Sequence, residues 1–155
     1  MSIESDIACF ERVPSLRVLG REALRVLAIG AESRYLDDGE ILFRAGDASD
    51  GGYVVQQGAI VLKPGVAADG REIIAGPGML LGELALFAET ARPATAIARE
   101  PSAVIRISRS MFLKMLENYP DVAIKLRDQL AARVAQDAKE LKDVRAGLDT
   151  SGTPG

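Results

Sequence analysis

Between Glu32 and Ile107 the chain is cut into short pieces, because turn-forming residues return before any apolar run grows long. The cuts fall at Asp38-Gly39, Ala45-Gly46-Asp47, Asp50-Gly51-Gly52, Asp69-Gly70 and Gly76-Pro77-Gly78. Between them lie β-rich runs at Glu40–Phe43, Gly52–Gln56, Ala59–Leu62 and Ala103–Ile107. Many short strands joined by glycine-bearing turns predict a small barrel or jelly roll over residues 31–108.

The flanks have a different period. Ile3, Ile7 and Phe10, then Leu16, Leu19, Ala23 and Leu27, recur at helical spacing around Pro14, which predicts two short helices flanking a turn within residues 1–30. After Ser108, Met111, Phe112, Met115 and Leu116 predict a helix that Pro120 breaks. A second helix should start at Pro120 or Asp121, since proline suits a first turn and an acid there complements the helix dipole. It is expected to run through Ile124, Leu126, Leu130, Val134, Leu141 and Val144 to Gly147, closing a C-terminal helical pair over residues 109–147. Residues 148–155 contain almost nothing apolar and read as a disordered tail. The fold class is therefore mainly β, a jelly roll (double-stranded β-helix) with N-terminal helices and a C-terminal helical pair.

Composition narrows the chemistry. The chain has no histidine, the commonest metal ligand and the usual general base near neutral pH, so a metal-dependent barrel enzyme and a Ser-His hydrolase are both disfavoured. No catalytic residue and no metal ligand is expected. The net charge of -3 gives no electrostatic footprint for a phosphate backbone, so a direct nucleic-acid partner is not expected. Cys9 cannot form an internal disulfide, no secretory signal stands at the N-terminus and no apolar run reaches about 18 residues. A cytoplasmic protein without a membrane span is the resulting expectation.

One stretch carries chemistry. Gly82-Glu83 follows the apolar pair Leu80-Leu81 and opens the short helical stretch Leu84–Phe87, where free amides suit an anion and a glycine permits close approach. Arg92 supplies a permanently charged donor fork for phosphate oxygens. Glu83 conflicts with an anion unless its carboxylate accepts a hydrogen bond from a sugar hydroxyl, so a ligand with both a phosphate and a ribose satisfies both side chains. Taken singly, each residue also fits a blander role: helix-start acid, surface charge, turn glycine.

The joint pattern Gly82, Glu83, Leu84, Ala85, Leu86, Arg92, Ala94 and Thr95 resembles the phosphate-binding cassette of the cyclic nucleotide-binding domain family. Gly39–Asp47 and Tyr53–Gly58 resemble the first half of that family's β-roll. The resemblance implies a roll that holds cAMP or cGMP without a further cofactor. By it the amide region of Gly82, Leu84 and Ala85 would cradle the cyclic phosphate, with Leu81, Pro93 and Ala94 lining the site. Arg92 would pair with the phosphate charge and Glu83 with the ribose 2′-hydroxyl. The chain departs from the pattern at Pro93, which has no N–H for phosphate and no hydroxyl of the kind that reads guanine, so cAMP is expected over cGMP. Thr95 lies two positions late for that role.

In relatives the helix after the roll transmits the signal. Here Leu130, Val134, Leu141, Val144 and Leu148 approximate a heptad seam that Arg127 and Asp137 spoil, so a homodimer through this helix competes with an amphipathic helix laid on the roll. Arg127, Arg133, Lys139 and Lys142 read as a solvated face. The expected function is a cyclic-nucleotide sensor acting through an unidentified protein effector, either as a stand-alone unit or as part of a longer protein. The alternative is a nucleotide-independent interaction or dimerisation module on the same roll.

Overall fold

The computed structural model describes residues 2–65, 71–129 and 132. The Asp69-Gly70 turn, the proposed seam from Leu130 onward, the cations Arg133, Lys139 and Lys142, and the tail lie outside them.

The N-terminal segment begins with a cap: the Ser2 hydroxyl accepts the amide of Ser5 at 3.1 Å and starts α1 (Ile3–Glu11). Two helices were expected before the strands, and there are three. Pro14 has no amide to lose in a first turn, so it opens a short helix, α2 (Pro14–Arg17), where the sequence suggested only a turn; α3 (Gly20–Gly30) follows. Their apolar stripes bury Ile7, Phe10, Leu16, Leu24 and Leu27 almost completely.

Among the described residues, eight strands form two antiparallel sheets. They are β1 (Glu32–Leu36), β2 (Ile41–Phe43), β3 (Gly51–Gln57), β4 (Ile60–Pro64), β5 (Ile73–Ala75), β6 (Leu80–Leu81), β7 (Ala94–Ala98) and β8 (Ser102–Ser108). One sheet has the order β1-β8-β3-β6 and the other β2-β7-β4-β5, the arrangement of a β-roll. Gly51, read from the sequence only as part of a turn, instead opens β3 and pairs with Ser108, and Gly52, which the β-rich run already included, pairs with Ile107.

Period-two alternation along β3 and β8 divides the interior. Tyr53, Val55 and Val104 face the opposite sheet with Leu42, Ile60, Ala96 and Ala98. Val54, Ile105 and Ile107 face outward and are covered by the helices. That second core is completed by α4 (Arg109–Asn118), capped where the Ser108 hydroxyl accepts the amide of Met111 at 3.3 Å, and by α5 (residues 120–129), whose Leu126 is buried. Phe112 of α4 is fully buried and meets Phe87 edge-on, with ring centroids 5.2 Å apart. Truncating Phe112 to alanine leaves a large cavity beside the roll and is expected to destabilise the fold by about 3–5 kcal/mol. Chemical denaturation checks it, and a loss below about 1 kcal/mol contradicts this packing.

Candidate functional site

The site is built around one buried cation. β6 ends at Leu81, the chain turns at Gly82 with φ +83°, and a single 3₁₀ turn covers Leu84–Leu86 before the chain returns through Arg92 into β7. The Arg92 backbone is pinned to the turn after β2: its amide donates to the Asp47 carbonyl at 2.8 Å, and its carbonyl accepts the Gly46 amide at 2.8 Å. With the backbone fixed, the side chain runs inward and is only 5% exposed. Nη2 donates to the Gly51 carbonyl at 2.8 Å. The guanidinium carbon lies 4.4 Å from the Phe43 ring centroid and 5.7 Å from that of Tyr53, two rings that themselves stack at 6.0 Å.

The other terminal nitrogen, Nη1, rests against Gly82, where an added Cβ would stand 2.5 Å from it. A glycine is required there twice over, by the left-handed φ and by the guanidinium. Nη1 is buried and has no hydrogen-bond acceptor among the described residues. Burial pulls the Arg92 pKa down, but a guanidinium remains charged in proteins. The direct contacts of this desolvated cation are one carbonyl and two ring faces, which leave Nη1 without an acceptor, and an anion with oxygen acceptors is the natural complement.

The other candidate residues fall around this centre. Leu81 is buried in the inter-sheet core and pairs with Tyr53. Glu83 is half-buried and caps the 3₁₀ turn with helical dihedrals, while Leu84 is 63% exposed. Ala85 packs beneath Gly82, but its amide, expected to face a phosphate, donates to the Gly82 carbonyl at 3.1 Å, because a 3₁₀ turn closes i to i+3. Pro93 is exposed, with its carbonyl accepting the Gly65 amide at 3.2 Å, and Ala94 is half-buried at the start of β7. The Thr95 hydroxyl accepts the Ala45 amide at 2.9 Å, a structural duty. Arg127 is exposed and sits 3.7 Å from Asp128, in keeping with a solvated face. Cys9 is buried, its thiol pKa raised by desolvation, and its Sγ approaches the Val55 carbonyl at 3.6 Å.

Several participants were not read from the sequence. Phe43, Tyr53 and the Gly51 carbonyl grip Arg92 from β2 and β3, and only their aromatic or glycine character hinted at it. Arg109, at the start of α4, donates from Nε to the Ala85 carbonyl at 2.9 Å and from Nη2 to the Ser49 carbonyl at 2.6 Å. The Ser49 hydroxyl in turn accepts the Thr90 amide at 3.1 Å. The 3₁₀ turn of the cassette is thereby fastened to the first turn of α4.

A family model for the cyclic nucleotide-binding domain matches residues 33–119, which take in the cassette and the whole of this site. The chain belongs to the cyclic nucleotide-binding domain family. A cyclic nucleotide-binding-like protein from Brucella abortus is 41% identical, with a TM-score of 0.64 over 72% of this chain and 97% of that one. The N-terminal domain of a transcriptional regulator from Streptomyces coelicolor is 29% identical, with a TM-score of 0.76 over 86% of this chain and 94% of that one. The cAMP-dependent protein kinase regulatory subunit of Yarrowia lipolytica is 34% identical over 99 residues, 63% of this chain and 25% of the relative. The chain spans less than a third of the length of the curated relatives it matches. Among the described residues no helix is long and apolar enough to cross a membrane.

Proposed function

We propose that this cyclic nucleotide-binding domain is a non-enzymatic, cytoplasmic receptor that takes cAMP in preference to cGMP and acts through a protein effector. The observation that carries the reading is Arg92 Nη1: a buried guanidinium nitrogen with no acceptor among the described residues, set against a glycine in the family's cassette. A cyclic phosphate is a compact monoanion that supplies the missing acceptors, and Gly82 lets it come close to the backbone. Leu81, Leu84, Ala85, Pro93 and Ala94 form the surrounding wall in this reading, within a roll taken as residues 31–108. The regulatory character of the Yarrowia relative supports a receptor rather than a catalyst, and its name supports cAMP. Pro93 adds weight, since it places no hydroxyl beside Arg92 for a guanine, and the Thr95 hydroxyl already serves the Ala45 amide.

Calorimetric titration with the two nucleotides tests the proposal. Tighter binding of cAMP is expected; tighter binding of cGMP reverses the choice between them, and no heat with either at millimolar concentration removes the receptor reading in favour of an interaction module. Glu83 is assigned to the ribose 2′-hydroxyl. Glu83→Gln keeps its size but removes a charge-assisted acceptor, so cAMP affinity is expected to fall about 10- to 150-fold. A change below about 3-fold in the same titration takes Glu83 out of the site.

A further inference from the structure

Arg92 is not alone at its end of the roll. Asp50 immediately precedes Gly51, whose carbonyl receives Arg92 Nη2, and its negative charge is among those that favour the charged form of that guanidinium. An exposed carboxylate on the residue before that carbonyl is a candidate partner for the buried cation. The Asp50 side chain is 69% exposed. Yet it is held elsewhere, in a hydrogen-bonded ion pair with Nη2 of Arg106 on β8. Arg106 faces Tyr53 in the strand register, on the side of the sheet that carries Val104 and looks into the roll, and its Nη1 is 3.7 Å from Glu32. Tyr53 thus has Arg106 as its neighbour in the register and Arg92 over its ring face.

The asymmetry decides the pairing. The Arg106 side chain is 22% exposed and keeps contact with water, so it meets Asp50 at modest desolvation cost. To reach Arg92 the carboxylate must enter a space bounded by two aromatic rings and shed far more water. While Arg106 is present, the exposed pairing wins. Without it, Asp50 becomes an unpaired charge next to a deep cation, and the inward pairing is the one left.

We propose that Arg106 is a positioning residue for the anion site, holding the Asp50 carboxylate away from Arg92 so that the Arg92 guanidinium remains available to the ligand's phosphate. This rests on the reading of Arg92 as the phosphate ligand, and it goes beyond it by assigning a role to a charge pair outside the cassette. Asp50 competes with the phosphate in this account, and Arg106 sets how strongly.

The test uses the full chain in four forms: natural, Arg106→Met, Arg106→Met combined with Asp50→Asn, and Arg106→Lys. In nucleotide-free protein, the NMR signal of the Arg92 Nε–H is expected to shift in Arg106→Met and to return in the double variant and in Arg106→Lys. In cAMP titrations the Arg106→Met form should bind about 5- to 10-fold more weakly, with affinity restored to within about 2-fold in the other two variants. An Arg92 signal that does not move in Arg106→Met, or one that moves and is not restored by Asp50→Asn, overturns the proposal. Because that signal is read without nucleotide, it judges Arg106 even if the natural chain takes up no cAMP, an outcome that would instead remove the receptor reading. Far-ultraviolet circular dichroism of each variant confirms that the roll is intact.

Discussion

Arg92→Met is expected to eliminate the stabilising effect of cAMP while leaving the ligand-free fold within about 1 kcal/mol of the natural chain. The two halves of that result have separate causes. In the ligand-free state, methionine removes a buried charge whose desolvation is only partly offset by the Gly51 carbonyl and the faces of Phe43 and Tyr53. Losing a charged hydrogen bond and a cation–π contact costs about 2–4 kcal/mol, and relief of the charge's desolvation returns a similar amount. Methionine also fills much of the same space between the rings. In the bound state nothing offsets the loss, because the phosphate meets a thioether where it had a guanidinium.

A ligand at 100 times its dissociation constant stabilises the natural chain by about 2.7 kcal/mol, and that increment should vanish in the variant. Thermal or urea unfolding with and without cAMP reads both quantities. If the variant is destabilised by about 3 kcal/mol or more without ligand, Arg92 is chiefly a structural residue. If cAMP still stabilises it, the phosphate is held elsewhere.

The cassette was legible because its glycine, acid and arginine lie within one short stretch whose spacing is set locally. The helices were legible for a related reason: apolar spacing and two prolines mark them, and Pro120 opens α5 as expected. What surrounds Arg92 was not legible. Phe43, Gly51 and Tyr53 come from two other strands, and only the pairing of β3 with β8 and of β2 with β7 brings them to it. The same holds for Arg106 and Asp50, distant in sequence and joined across the β3–β8 ladder.

Some strands were missed because their residues do not look like strand formers. β1 is largely exposed and polar, yet it pairs with β8 over five positions from Glu32 to Leu36; the ladder, not side-chain propensity, makes it a strand. β7 buries only the small side chains Ala96 and Ala98 on its inner face, which leaves room between the sheets but gives little hydrophobic signal.

Gly51 shows why a letter can mislead, and its substitution should be strongly destabilising. Beside Asp50 it reads as a turn glycine, but the chain there is extended and packed against β8. A Cβ on Gly51 would sit 2.1 Å from the Ile107 carbonyl oxygen and 2.9 Å from the Ser108 Cα. Both are backbone atoms of β8 at the end of its ladder with β3, so no side-chain rotation relieves the contact and the ladder itself must open there. Gly51→Ala is therefore expected to destabilise the fold by on the order of 3 kcal/mol or more, well above an ordinary surface change. Moving this strand also displaces the carbonyl that receives Arg92 and the Asp50 side chain beside it, so any folded fraction should bind cAMP poorly. Gly76→Ala is the control: a Cβ there meets nothing within 4 Å, and the change should lie within about 1 kcal/mol of neutral. Urea denaturation of the two variants side by side decides the matter. Equal stabilities would mean that β3 and β8 do not approach as closely at Gly51 as the structure has them, and the grip on Arg92 would have to be drawn differently.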